Sequence, residues 1–98
     1  MFSVQLTQEF HDWLDALPDQ RGQVRIAARL RQAEAGNLGD WKPVSGDVSE
    51  MRVNFGPGYR LYFARRSNVL VIMLVGGHKG SQARDIKRAQ RIFNQLEP

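Results

Sequence analysis

Ninety-eight residues and 11.2 kDa make one domain, residues 1–98, with no room for a second core. Apolar residues are 42% of the chain and charged residues 24%, which argues against disorder; the absence of cysteine excludes a disulfide framework, a thiolate nucleophile and a cysteine zinc site. Net charge is +4 but uneven: residues 1–51 carry five basic and eight acidic residues (net −3), and residues 52–98 carry nine basic residues against Asp85 and Glu97 (net +7). The uncharged run 67–77 is too short to span a bilayer, and the first five residues lack a signal-peptide pattern, so no membrane and a cytoplasmic location are expected. Two histidines cannot build a His-only metal site, and no metal or cofactor is expected.

In chain order, Phe2, Val4 and Leu6 alternate with polar residues, the pattern of a short strand. Thr7 can cap a helix whose apolar residues, Phe10, Trp13, Leu14 and Leu17, fall on one face. Pro18 ends it and Asp19 can cap a second helix, running to about Ala35 with Ile26, Ala27, Leu30 and Ala33 inward. Gly36-Asn37 supplies a left-handed stop. From Trp41 the period becomes two. Residues 41–44 read as an edge strand because of Pro43, and Ser45-Gly46-Asp47 as a turn. Residues 48–55 read as a strand with Met51, Val53 and Phe55 on one face and Glu50, Arg52 and Asn54 on the other. Gly56-Pro57-Gly58 is a tight turn with proline presetting its first φ, followed by a strand over 59–66. Residues 69–75, almost wholly apolar, fit a central strand covered on both faces. Residues 76–80 read as a flexible connection, after which Ser81 can cap a last helix to about Leu96, with Ile86, Ala89, Phe93 and Leu96 inward. The order β-α-α-β-β-β-β-α defines an α+β sandwich: a helical hairpin, an antiparallel meander and a C-terminal helix.

Alternation places candidate chemistry. If Met51, Val53, Leu61 and Phe63 pack on the helical hairpin, then Arg52, Asn54, Arg60 and Tyr62 share the opposite face. That surface is cationic, and a planar guanidinium can grip a phosphate through two parallel N–H donors. The structural alternative is that Arg60 pairs with Glu50 across the hairpin. The loop after the last strand adds His78, a possible general acid or base, and Lys79. Arg84, Lys87, Arg88 and Arg91 form a stripe on the last helix that could track phosphates or be simply solvated. Arg21, Arg25 and Arg29 form another, read as a solvated or partner-facing helix surface, and His11 is expected to be exposed.

These residues resemble a known family. The segments Gly36-Asn37-Leu38-Gly39-Asp40, Val48-Ser49-Glu50-Met51-Arg52 and Gly56-Pro57-Gly58-Tyr59-Arg60-Leu61-Tyr62-Phe63 are similar to the RelE/ParE toxin superfamily, closest to its HigB-like branch of addiction module killer proteins. Leu74-Val75-Gly76-Gly77-His78-Lys79 and Gln82-Ala83-Arg84-Asp85-Ile86 extend the match over essentially the whole chain. The resemblance implies a RelE-like microbial RNase fold and the toxin of a type II toxin–antitoxin pair. It implies an mRNA endonuclease acting at the ribosome without metal, which inhibits translation until a cognate antitoxin neutralises it. That antitoxin is expected to be a helix-turn-helix DNA-binding protein, so operator DNA is met only through the complex.

By the same resemblance Arg60 matches the arginine of the Gly-Tyr-Arg motif that contacts the scissile phosphate. Lys79, or His78, falls where a second catalytic basic residue follows the last strand. Arg52 falls near basic residues of the preceding strand. A late catalytic tyrosine is missing, since no tyrosine follows Tyr62; His78 or Tyr62 would move protons. Asn54, Arg84, Lys87, Arg88 and Arg91 complete the expected RNA-binding set. Two other functions compete: a ParE-type toxin that inhibits DNA gyrase without nuclease activity, and a non-enzymatic RNA- or partner-binding module.

Overall fold

The computed structural model describes residues 1–96, so Glu97, counted above in the basic half, lies outside the described residues. Strand β1 (Ser3–Leu6) leads into helices α1 (Gln8–Asp15) and α2 (Gln20–Glu34), then strands β2 (Trp41–Ser45), β3 (Val48–Val53), β4 (Tyr59–Arg66) and β5 (Leu70–His78). A single 3-10 turn (Lys79–Ser81) joins β5 to α3 (Gln82–Gln95). This is the expected element order and the expected α+β class. The five strands form one sheet in the order β1-β5-β4-β3-β2. Strands β2 to β5 are the antiparallel meander, and β1 adds to its far edge parallel to β5, with Val4 opposite Val71.

The helix boundaries follow from caps present in the sequence. Thr7 Oγ1 accepts from the Phe10 N–H at 3.1 Å, and Asp19 Oδ1 accepts from the Gly22 N–H at 2.9 Å, each satisfying a donor at a helix start that has no partner within its helix. Gly36 closes α2 with φ 98°, a conformation a side chain would resist.

The pleat sends alternate residues to opposite faces. Met51, Val53, Leu61, Phe63, Val71 and Met73 pack under Phe10 of α1 and Ile26 and Ala33 of α2. Val48, Tyr62, Ala64, Ile72 and Leu74 pack under α3, whose Ile86, Ala89, Phe93 and Leu96 face the sheet as expected. Strand β5 is buried from Val71 to Gly77, as a central strand should be.

Three local expectations need correction. Strand β3 stops at Val53: the Phe55 N–H bonds the Val53 carbonyl at 2.8 Å, and the Gly58 N–H bonds the Phe55 carbonyl at 3.0 Å. Phe55 therefore opens the turn, Gly56 takes its first central position with φ 55°, and Pro57 takes the second. A first position at positive φ needs glycine, so proline moves along by one.

Residues 76–78 are not a flexible connection but the last three residues of β5. The two glycines there answer to space. A β-carbon on Gly76 would lie 2.2 Å from the Trp13 ring, and one on Gly77 would lie 1.9 Å from Asp85 Oδ2. A register shift between Tyr62 and Phe63 opposite Met73–Val75 also turns Gly77 to the α3 face, opposite Arg60.

Ser81 does not cap α3. Its hydroxyl lies 2.5 Å from Asp85 Oδ2 and 3.2 Å from the His78 carbonyl, and its oxygen accepts from the His78 N–H at 3.3 Å.

Candidate active site

The site lies at one end of the α3 face, where β3, β4 and β5 run side by side beyond the apolar core. Pairing sets Arg52 opposite Arg60 and Glu50 opposite Tyr62, and Arg60 in turn opposite Gly77 of β5. Alternation thus brings Glu50, Arg52, Arg60 and Tyr62 onto one patch.

Glu50 is 1% exposed. Its Oε1 accepts from Arg52 Nε at 3.2 Å, and its Oε2 accepts from the Tyr62 hydroxyl at 3.1 Å and from Gln82 Nε2 at 2.9 Å. Burial alone would raise its pKa, but the hydrogen bonds from Gln82, Arg52 and Tyr62 and the charge of Arg60 outweigh that and hold it below the ordinary glutamate value. The alternative pairing foreseen for Arg60 is therefore partly present: Arg60 Nε stands 3.9 Å from Glu50 Oε1, close for charges but too long for a hydrogen bond.

Arg60 is 8% exposed. Its Nη1 donates to the Tyr59 carbonyl at 3.1 Å, and its Nε is buried with no hydrogen-bond partner. The outer Nη edge is what remains for a ligand. Arg52 is more open, with 35% of its side chain exposed.

The β5 end brings His78 and Lys79 alongside. His78 pairs with Tyr59. A point one β-carbon out from Gly58 lies 3.3 Å from Arg60 Nη1 and 3.4 Å from the β-carbon of Lys79, so the two basic residues flank that glycine. His78 and Lys79 are both exposed. His78 Nδ1 accepts from the Gly80 N–H at 3.1 Å and caps the 3-10 turn. A neutral imidazole that accepts through Nδ1 carries its proton on Nε2 and points a donor outward.

Other expected site residues fall elsewhere. Tyr62 is fully buried, and burial together with Glu50 pushes its hydroxyl pKa far up. Its hydroxyl faces Glu50, to which it donates at 3.1 Å, rather than the open side of the patch. Asn54 does not share the face of Arg52. With β3 ended at Val53 it leaves the alternation and lies by Arg25, Ala28, Arg29 and Gln32 on the α2 side. On α3, Arg84, Lys87 and Arg91 are exposed, Arg84 Nε also donating to Asp85 Oδ1 at 3.3 Å, whereas Arg88 is held between Asp85 Oδ1 and Glu9 Oε2, both at 3.2 Å. That network leaves Arg88 less to offer a phosphate than the stripe suggested.

The α2 stripe is not merely solvated. Arg29 donates to the carbonyls of Arg52, Leu38 (3.0 Å) and Asp40 (3.4 Å), and burial lowers its pKa. Arg25 lies 4.8 Å over the Phe55 ring. His11 is exposed as expected.

Sequence reasoning gave no role to Gln82 or to fully buried Asp85. The signal that could have found Asp85 is its place one turn after Ser81 and three before Arg88, on the inward side of an amphipathic helix. Among the described residues no group of three His, Asp or Glu side chains converges as metal ligands, and no helix is long and apolar enough to cross a membrane.

A five-stranded sheet between a helical hairpin and a C-terminal helix, with arginines and a lysine gathered at one strand end, is consistent with a RelE-like fold. Residues 12–96 match the family model described as "Phage derived protein Gp49-like (DUF891)", and the chain belongs to that family. It is also 39% identical over 93 residues to an uncharacterized protein of Haemophilus influenzae, covering 95% of this chain and 94% of the relative. The family is a RelE-like toxin family of toxin–antitoxin systems, which implies an antitoxin partner.

Proposed function

We propose that this protein is the toxin of a type II pair and cuts mRNA on the ribosome, in the manner of the HigB-like branch, until a helix-turn-helix antitoxin covers it. The observation that carries the reading is the convergence of Arg60, Arg52 and Lys79 at one end of a rigid sheet, beside an outward-facing His78.

The chemistry asks for no more than such a site offers. In RNA cleavage by its own 2′-hydroxyl, the 2′-oxygen bonds to phosphorus, the bond to the 5′-oxygen breaks, and a 2′,3′-cyclic phosphate forms. The 2′-hydroxyl proton passes to a base, and the departing 5′-oxygen takes a proton from an acid. Negative charge grows on the phosphorus-bound oxygens in between. Arg60 and Arg52 take those oxygens and Lys79 adds charge nearby; each preorganised contact of this kind is worth about 3–4 kcal/mol of barrier. His78, whose Nδ1 accepts from the Gly80 N–H, presents Nε2–H as a hydrogen-bond donor to the departing 5′-oxygen, which takes its proton from water. Arg84, Lys87 and Arg91 lie on α3 as a phosphate track.

Expression without antitoxin, followed by mapping of new RNA 5′ ends, tests the reading. New ends inside translated frames, present for the wild type and lost with Arg60→Ala, are expected. Growth arrest with intact mRNA and a DNA-damage response would instead indicate a gyrase target. Salt-dependent RNA binding without cleavage would indicate a binding module.

A further inference from the structure

Two arginines stand directly across neighbouring strands with a buried carboxylate beneath them. Cross-strand like charges repel, and an acid 1% exposed must be fully partnered to stay charged. Neither cost is needed to hold the sheet together, because the next residues on the same face, Val48, Tyr62 and Ala64, are packed under α3.

The division of labour on Glu50 is specific. Oε2 is fixed from two sides, by Tyr62 on β4 and Gln82 on α3. Oε1 is left for the arginines: Arg52 Nε takes it at 3.2 Å, while Arg60 Nε stands 3.9 Å away as a buried donor that has no partner. Two guanidiniums are thus drawn to one oxygen from adjacent strands. A guanidinium turned by its Nε toward an acid presents its Nη groups away from it.

We propose that Glu50 is a positioning residue: by anchoring Arg52 and Arg60 to one carboxylate oxygen, it turns two mutually repelling side chains into a single anion clamp. Glu50 does not touch the substrate. The inference rests on the reading of the Arg60 patch as a phosphate site, and it makes a prediction opposite in sign to simple electrostatics. Glu50→Gln removes a negative charge beside the arginines, so charge alone predicts tighter anion binding. Positioning predicts weaker binding, because a glutamine amide has one end that is itself a donor, so it cannot both accept from Tyr62 and Gln82 and offer the arginines a charged acceptor.

The test uses the full chain and two readouts. The first is the titration of a short 2′-O-methyl RNA, which cannot be cleaved by its own 2′-oxygen, against wild type, Arg60→Ala and Glu50→Gln. Glu50→Gln is expected to weaken binding about tenfold, the scale of a lost hydrogen bond to a charged group; equal or tighter binding by a folded Glu50→Gln protein overturns the proposal. The second is NMR of the arginine Nε–H groups, which needs no RNA. The Arg52 and Arg60 signals are expected to be distinct and slowly exchanging in the wild type and to collapse toward the solvent-averaged position in Glu50→Gln. Unchanged signals overturn the proposal.

If wild type and Arg60→Ala bind the RNA equally, the phosphate reading fails, while the NMR signals still decide whether Glu50 orders the arginines. Should Glu50→Gln not fold, Gln82→Ala removes one anchor of Oε2 from a half-buried surface position and is expected to give the same loss of binding at about two- to fivefold, with broadened Nε–H signals. No change in either overturns the proposal.

Discussion

Under α1 and α2 the sheet is apolar over its whole length, from Met51 and Val53 through Leu61 and Phe63 to Val71 and Met73. Under α3 the same strands are apolar only at one end; beyond Tyr62 the face turns to Glu50, Arg52 and Arg60. The pleat makes this possible, because neighbouring residues on one strand answer to different surroundings. Leu61 and Phe63 hold the hairpin face while Arg60, one residue away, is free to serve a site. The difference teaches that residues one apart should separate cleanly into those whose loss unfolds the protein and those whose loss silences it.

The largest expected effect is on the charged end. Arg60→Ala should lower RNA cleavage by about 100-fold or more and move the urea midpoint little, because Glu50 keeps Arg52, Tyr62 and Gln82. Parallel loss of stability and activity would break the separation. On the other face, Gly76→Ala drives a β-carbon to 2.2 Å from Trp13 and should cost about 1–3 kcal/mol in urea unfolding. A neutral result would mean that Trp13 is not held against β5.

Tyr62→Phe sharpens the boundary between the two ends. It removes a buried hydrogen bond to a carboxylate, so about 1.5 kcal/mol of stability should go, while cleavage stays within about tenfold of wild type. A loss of two or more orders of magnitude, as expected for a proton-transfer residue, would return Tyr62 to the chemistry.

The smallest effect is a pH limb from the hairpin side. Tyr59 donates to Asp19 Oδ2 at 2.7 Å, and burial, then that bond, raises its pKa from 10.0 to about 12. A raised pKa means that its stabilisation is present below pH 10 and is lost as pH climbs toward about 12. Asp19 is shifted the other way, chiefly by the Gly22 N–H and then by Tyr59, so its share is present above its ordinary pKa of 3.8 and fades as pH falls through the lowered value. Unfolding curves of Tyr59→Phe should lack the alkaline limb, and those of Asp19→Asn should have a flatter acid limb; curves parallel to wild type would contradict the pairing.

The hairpin face was readable because its signals are periodic and local: Phe10, Ile26 and Leu61 repeat with their elements, and Thr7, Asp19 and Gly36 mark the ends. The charged end was readable in part. Alternation alone placed Arg52, Arg60 and Tyr62 together, but it carried Asn54 along too, since nothing periodic announces that Phe55 opens the turn. Gly76 and Gly77 read as part of a flexible connection because nothing in the local pattern shows the Trp13 ring or the Asp85 carboxylate that press on them. Burial of Glu50 was invisible for the same reason, since Tyr62 and Gln82 come from other elements, whereas the partners of Asp85, Ser81, Arg84 and Arg88, are its near neighbours in sequence.

The most direct test of the central claim uses purified protein and ribosomes paused on a defined mRNA, with 5′ ends read by primer extension. The account predicts a new end in the paused codon with wild type, none with Arg60→Ala, and equal urea midpoints for the two proteins. Intact mRNA with a folded wild type, or unchanged cleavage by Arg60→Ala, would contradict it.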